Sequence, residues 1–593
     1  MLPDIQGLIE QGIGYEKLGN NKEATSCFKK VLSHYPDNVT ALAGFARGLA
    51  RRGKIPSAAK LIARGLSSCP KDPDLLHGAG VVEMHAGSPD AAIACFQEAL
   101  RSDPNHHGSL AEMAGLLFKQ HHWADAILFL ERLLAISPDD PSTLFALGTA
   151  LLHLNKPAQA KAYLEQCLEI VPKSIGARIN YSVSLRMMKC YQESEHIIRS
   201  VLTEEPNNID ALNACSSLYT DWRQFDKALS YSLKALEIDQ NNIETLNSCA
   251  YLHIKRGQRQ KGKQYYVRVL KLDPMNRNAR FGYGGLLLQE ENFKEGLPLY
   301  ESRFDVMQSW LDGPWPVWDG QKPAGKTILV RSEQGMGDAI QFCRFLPMLK
   351  QAGARVFFSC PPVLGRLLRG VKGIDELYAA DSLPIAEIEA DVQIALLSLM
   401  GVFEVRAETI PTSCPYIHID QELILEKKPL VTDCTKRLKV GLIWAGNPEQ
   451  IDDHNRSLHL RQLLPLAELQ DDVQFFSLQI GYAQTQIEEI GAELNIIDLA
   501  PYISDFADTA AFMQHMDMIV SVCTSTIHLA GAIACPAVAL LPHAADWRWF
   551  LKRNDSPWYP TVHLIRQSKP GNWREVILSL KSYLATAKSR LSS

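Results

Sequence analysis

Hydrophobic positions along the chain follow two different rules, and the change comes after Lys326. Beyond it, short apolar runs of strand length alternate with loops and helical stretches. Thr327 to Arg331 reads as a strand, Glu333-Gln334-Gly335-Met336-Gly337-Asp338 as a glycine loop, and Ala339 to Gln351 as one amphipathic helix. Arg355 to Ser359, Leu438 to Trp444, Val473 to Leu478 and Met518 to Val522 read as further strands. This alternation predicts parallel sheets. Before Lys326 the rule is a 34-residue beat. Prolines recur at Pro36, Pro70, Pro104, Pro138, Pro172, Pro206 and Pro274, with Gln240 on the one missed position. Small residues keep the same step from Ala24 through Ala58, Ala92, Ala126, Ala160, Ser194, Ala228 and Gly262 to Gly296. A second small ladder runs from Gly12 through Ala46, Gly80 and Ala114 to Gly284.

Three ladders in phase over about nine units resemble the tetratricopeptide repeat, two antiparallel helices per 34 residues with small residues where they cross. One helix pair cannot bury its apolar face alone, so stacked neighbours supply the core and a concave groove that receives peptide. Asn213 and Asn247 share a phase and Asn180 sits one residue off it, so a uniform asparagine clamp on peptide backbone is not expected. A spacer or dimerisation surface is the alternative use of such an array.

The expected architecture is therefore multidomain: an all-α tetratricopeptide superhelix over 1–308, a connector rich in Trp, Pro and Gly over 309–325, and two α/β units over 326–436 and 437–590. The two Rossmann-like units would face a cleft, where open parallel sheets bind ligands. Trp315 and Trp318 among prolines and glycines imply a packed connector, not a floppy one. A length of 593 residues also demands several cores. A net charge of -5 gives no electrostatic case for nucleic acid or anionic membrane. No apolar run approaches a membrane span, and the first residues lack the basic region of a secretory signal. The 13 cysteines are odd in number and scattered, without metal-ligand spacing. A cytoplasmic protein with reduced thiols is expected.

Candidate chemistry gathers at Ile519 to Ala532. A buried-type strand there runs into Cys523-Thr524-Ser525-Thr526, and a small-residue helix follows. A hydroxyl-rich helix N-terminus can hold an anion, favoured by roughly 0.3–1 kcal/mol from the helix dipole. Thr524 or Ser525 as a plain helix cap is the alternative. Gly446 and Asn447 lie at a strand end, where a missing side chain permits close approach of a ligand to backbone. Arg456 and Arg566 are candidate counter-charges or ordinary salt-bridge partners, and His528 is either a phosphate contact or a core histidine.

Taken with Gly441 to Pro448, Arg456-Ser457, Ser477-Leu478-Gln479, Asp505 to Ala510, Thr524 to Gly531, Asp546-Trp547-Arg548-Trp549, Pro557 to Pro560 and Arg566-Gln567, the glycine loop resembles one group. The group is the heptosyltransferase-like bacterial glycosyltransferases of GT-B class fused to tetratricopeptide arrays. The resemblance covers about residues 290 to 580. Members of similar architecture include flagellin glycosyltransferases that load nonulosonic acids such as pseudaminic acid onto Ser or Thr. The resemblance implies metal-independent transfer from a nucleotide sugar, CMP-linked donors among them, with no further cofactor. It assigns the base to Asp338, with Glu333 as substitute, and the donor site to Gly446, Asn447, Arg456, Gln479, Thr524, Ser525, His528 and Arg566. The array would recruit a protein acceptor such as flagellin. One departure stands out: the group usually has aspartate where this chain has Cys523, and a thiol accepts hydroxyl bonds poorly. Either the donor sugar differs, or the chain is a non-catalytic scaffold with a decayed site. A lipopolysaccharide or other glycan acceptor is the third reading.

Overall fold

The computed structural model describes residues 4–307, 311, 313–431, 438–450 and 452–591. The expected domain boundaries at 308/309 and 436/437, with connector residues 310 and 312, lie outside the described residues. The chain divides into two compact units, Met1–Gln240 and Asn241–Ser593.

The first unit consists of antiparallel helix pairs, from Ile5–Lys17 with Asn21–His34 to Ile209–Asp221 with Phe225–Ile238. The small ladder is buried at Ala58, Ala92, Ala126, Ala160, Ser194 and Ala228, where the paired helices meet. Each proline of the first ladder sits in the turn ahead of a new pair, and two residues on lies a side-chain cap that sequence reading passed over. Asn38, Asp72, His106, Asp140, Ser174 and Asn208 each accept a backbone N–H three residues ahead. Such caps stabilise a helix start by about 1 kcal/mol each. Asn180 donates to Thr149 Oγ1 at 2.8 Å, inside the array.

The second unit opens with two more pairs, Ile243–Lys255 with Arg259–Leu272 and Arg277–Gln289 with Phe293–Tyr300, then the short helix Arg303–Met307. Asn242 and Asn276 continue the cap ladder. A parallel sheet follows, built from β1 (Thr327–Arg331), β2 (Arg355–Cys360), β3 (Glu376–Ala379) and β4 (Val392–Ala395) in the order β3-β2-β1-β4. The larger sheet contains β5 (Leu438–Ile443), β6 (Val473–Ser477), β7 (Ile496–Asp498), β8 (Met518–Val522), β9 (Ala537–Leu541), β10 (Asp555–Ser556) and β11 (Tyr559–Arg566). Its order is β10-β11-β9-β8-β5-β6-β7, parallel apart from the β10–β11 pair. Strands β6, β8 and β9 are buried along their whole length, as apolar runs covered on both faces must be. No described helix is long and apolar enough to cross a membrane.

Two expectations change. The single helix over Ala339 to Gln351 is broken: Met336–Phe342 is helical, Cys343–Phe345 tightens to a 3-10 turn, and Leu346–Gln351 resumes. Pro347 has no N–H for the carbonyl of Cys343, so the regular ladder cannot run through. The last array pair, moreover, shares the core of the sheets. Leu288, Phe293, Leu297 and Tyr300 are buried in one cluster with Ile328, Phe342, Trp547, Phe550 and Trp558. Phe293 and Tyr300 meet the Trp547 ring edge-on at 6.4 and 5.8 Å, and Gln289 donates to the carbonyl of Ala545 at 2.9 Å. The connector packs as well. Val317 bridges to Gln393 on the edge strand β4, and the Gln393 amide donates to the carbonyls of Leu311 and Trp315 at 2.8 and 2.9 Å.

Candidate functional site

A cavity of about 960 Å³ opens in the second unit, lined by the loops that follow β1, β5, β6, β7, β8 and β9. All of these leave the carboxyl ends of strands. In the larger sheet the order reverses between β5 and β8, and in the smaller one between β1 and β4. Gly446 and Asn447 follow β5, Thr524 and Ser525 follow β8, and Gln334 to Asp338 follow β1, so the cavity lies at the switch point of both sheets.

Thr524 precedes the helix Ser525–Ala532 without capping it. Its hydroxyl is turned to Thr526 Oγ1 at 2.6 Å and Ser521 Oγ at 3.2 Å. The Thr524 hydroxyl therefore does not cap the helix, and of the first-turn amides Ile527 N–H turns back to the Thr524 carbonyl at 3.3 Å. A second helix N-terminus, that of Met336–Phe342, abuts this one. A Cβ on Gly337 would lie 3.4 Å from Ser525 Cα and 3.0 Å from His528 Cδ2, so the two helix starts approach closely there. The N-terminus of Ser525–Ala532 thus faces the cavity beside the loop that presents Asp338.

Asp338 sits in the first turn of that second helix, its side chain 16% exposed. One oxygen pairs with Arg548, and Oδ2 accepts the Gly335 N–H at 2.9 Å. Burial raises its pKa above the ordinary value, with Arg548 pulling the other way. Arg548 is buried against Trp547 and Phe342. It also binds Asp546 Oδ1 at 2.8 Å. Burial pushes the Asp546 carboxyl up, but Arg548 outweighs it and holds the group below its ordinary range. Asp546 lines the cavity and remains partly exposed.

Beside them, Cys523 Sγ accepts the Trp549 indole N–H at 3.0 Å, and burial pushes the thiol up to about 11. It is a neutral thiol at physiological pH. His528 stacks on Trp549 and meets Tyr559 OH through Nδ1 at 3.0 Å. Burial, then the nearby Arg548, lowers it to about 3. His528 is neutral, so it offers an anion a polar N–H at most and no charge.

Arg456 reaches the cavity wall, bonded to Asp453 at 3.0 Å and to the carbonyl of Cys523 at 3.0 Å. A Cβ on Gly446 would lie 2.8 Å from Arg456 Nη2 and 2.3 Å from Asp453 Oδ1. The space beside Gly446 is thus taken by the Asp453–Arg456 pair and not left open to a ligand. Asn447 is exposed on the rim and accepts the Glu449 N–H.

Three expected positions fall elsewhere in role. Gln479 touches the cavity, but its Oε1 holds the N–H groups of Trp444 and Ala445 at 3.0 and 2.9 Å and its amide donates to Ile480. It ties the loops after β5 and β6. Arg566 is not among the lining residues and holds the carbonyls of Trp549 and Phe550. Burial lowers it to about 10. Glu333 is buried in an ion pair with Arg303 at 2.7 and 2.8 Å and does not line the cavity. Away from the cavity lining, it does not face the space an acceptor would occupy. Asp546 and Arg548 received no role from sequence. Their only signal was membership of the Asp-Trp-Arg-Trp motif, because 210 residues separate Arg548 from Asp338.

Comparison with known proteins bears on the helical part. Models described as tetratricopeptide repeat match residues 9–73, 44–107 and 250–304, residues 83–151, and residues 209–242. One described as anaphase-promoting complex, cyclosome, subunit 3 matches residues 119–201. The chain contains tetratricopeptide repeats. It is similar to Protein FlbA of Caulobacter vibrioides, 26% identical over 336 residues, 52% of this chain and 55% of that protein. It is also similar to the type IV pilus assembly protein PilF of Pseudomonas aeruginosa, 30% identical over 156 residues, 25% of this chain and 58% of that protein. The chain thus spans little more than half the length of either relative. A tetratricopeptide repeat protein from Parabacteroides merdae matches at a TM-score of 0.34 and 16% identity, over 47% of this chain and 97% of its own.

Proposed function

We propose that the second unit is a metal-independent glycosyltransferase of GT-B type, acting on Ser or Thr of a protein that the array recruits. The observation that carries this reading is the position of Asp338, opposite the Thr524–Ser525 helix start in a cavity at the carboxyl ends of both sheets. A sugar phosphate would place its anion on the N-terminus of Ser525–Ala532, next to Arg456. Asp338 would take the proton of the acceptor hydroxyl while that oxygen bonds to the anomeric carbon. The bond from that carbon to the phosphate breaks, and its electron pair leaves with the nucleotide. A pKa raised by burial makes Asp338 a better base than an exposed aspartate, and Arg548 with the Gly335 N–H orients it.

Flagellin is the proposed acceptor and a nonulosonic acid such as pseudaminic acid the proposed sugar. Similarity of the repeats to a protein named for type IV pilus assembly supports a filament-related acceptor. The test is the intact mass of flagellin from a strain lacking this chain. Loss of the glycan mass is expected. An unchanged mass removes flagellin and turns the search to other proteins, lipopolysaccharide or another glycan. The non-catalytic reading draws on one observation, the neutral Cys523 thiol bonded to Trp549. Under it, no nucleotide sugar is turned over.

A further inference from the structure

The carboxylate of Glu333, five residues before the proposed base, is bound by the array and not by the sheets alone. Arg303 lies on the short helix Arg303–Met307 at the end of the array, and its side chain is 1% exposed. Its Nε and Nη2 form a two-pronged bond to Glu333, whose side chain is 3% exposed. Nη2 also reaches Ser398 Oγ at 2.7 Å, and Nη1 pairs with Glu301. Leu397 N–H adds a bond to Glu333 Oε1 at 3.0 Å, so β4's outgoing turn is tied to the same carboxylate. Next in the loop, Gln334 takes a left-handed backbone conformation, φ 62°, uncommon for a residue with a side chain. Its amide reaches Tyr300 OH at 3.4 Å, again on the array. Gly335 follows and donates its N–H to Asp338.

A two-pronged guanidinium–carboxylate pair fixes orientation as well as distance. We infer that Arg303 is a positioning residue for Asp338: through Glu333 it holds the β1 loop in the one arrangement that aims the carboxylate into the cavity. The inference rests on the proposed glycosyl transfer for its kinetic consequence but not for its structural one. The array's last turn is then a working part of the site, and what disturbs it disturbs turnover before it disturbs donor binding.

Two variants test this, Arg303→Met and the charge-retaining Arg303→Lys, which keeps a cation but loses the fork. Hydrogen exchange is followed in the peptides covering 333–342 and 523–532, with no substrate present. Exchange about tenfold faster in 333–342 and unchanged in 523–532 is expected for Arg303→Lys. Turnover should fall roughly 10–100-fold, as misplacement of a catalytic group does, with affinity for the free nucleotide unaltered. In an Asp338→Asn background, Arg303→Lys should cost nothing further, since a group that acts through Asp338 has nothing left to act on. Unchanged exchange in 333–342, or equal loss in both peptides, overturns the positioning role. If exchange changes as expected but the wild-type protein releases no nucleotide from any nucleotide sugar, the positioning role stands and glycosyl transfer falls. Should Arg303→Met fail to fold because Glu333 is left buried and unpaired, Arg303→Lys alone decides.

Discussion

His528 shows how a single burial decides between chemical roles. An exposed histidine near a phosphate would supply positive charge, but this one is pushed from its ordinary 6.5 to about 3 and stays neutral. The sign of its effect on stability follows. Folding excludes a proton that the unfolded chain accepts below pH 6.5, so the contribution is complete above that pH. It is lost as pH falls toward 3, at up to about 1.4 kcal/mol per pH unit. His528→Gln should therefore flatten the dependence of melting temperature on pH between 6.5 and 4 relative to wild type. Parallel curves for the two proteins would show that the imidazole protonates freely in the fold. Sequence could place His528 one turn into a helix but not measure its burial, which comes from Trp549 and Tyr559 beyond a strand and two loops. Arg566 and Glu333 follow the same rule: a charge near a motif is visible in sequence, whereas the partner that occupies it is not.

At the scale of elements, the 34-residue cap ladder adds to what the prolines and small residues showed. Asn208 accepts the Ala211 N–H at 2.9 Å and opens the last helix pair of the first unit. Asn208→Ala should cost about 1 kcal/mol, read as roughly fivefold faster exchange of the amides at 209–212, and Asn208→Asp should restore protection. No change in either variant would mean that packing alone starts the helix. This ladder was legible, since polar cap residues recur two places beyond each proline, but His106 in that series conceals it. The strands were legible because runs buried on both faces are continuously apolar. The break at Pro347 was legible too, from proline's missing donor, yet the amphipathic pattern of Ala339 to Gln351 passes over it unbroken.

For the whole molecule, the sequence pattern changes at Lys326, whereas the compact units meet at Gln240 and Asn241. Repeat periodicity could not reveal this, because the last helix pair obeys the array's rule while its outer side chains belong to the core of the sheets. Residues 241–593 should therefore fold and bind nucleotide, with transfer to protein reduced, whereas residues 309–593, stripped of Phe293, Tyr300 and Arg303, should lose cooperative unfolding. Circular dichroism and nucleotide titration of the two pieces check this; a shorter piece that binds as well as the longer would place the boundary back at the change of pattern. The central claim, that this cavity transfers a sugar with Asp338 as base, has a more direct test. Nucleotide release is measured for wild type and Asp338→Asn with each of a panel of nucleotide sugars, CMP-linked ones included, alongside calorimetric affinity for the nucleotide. Wild type should release nucleotide from at least one donor, the amide variant about 10²–10⁴-fold more slowly, with equal affinity in both. Release undiminished by Asp338→Asn, or none from wild type with any donor, would contradict it.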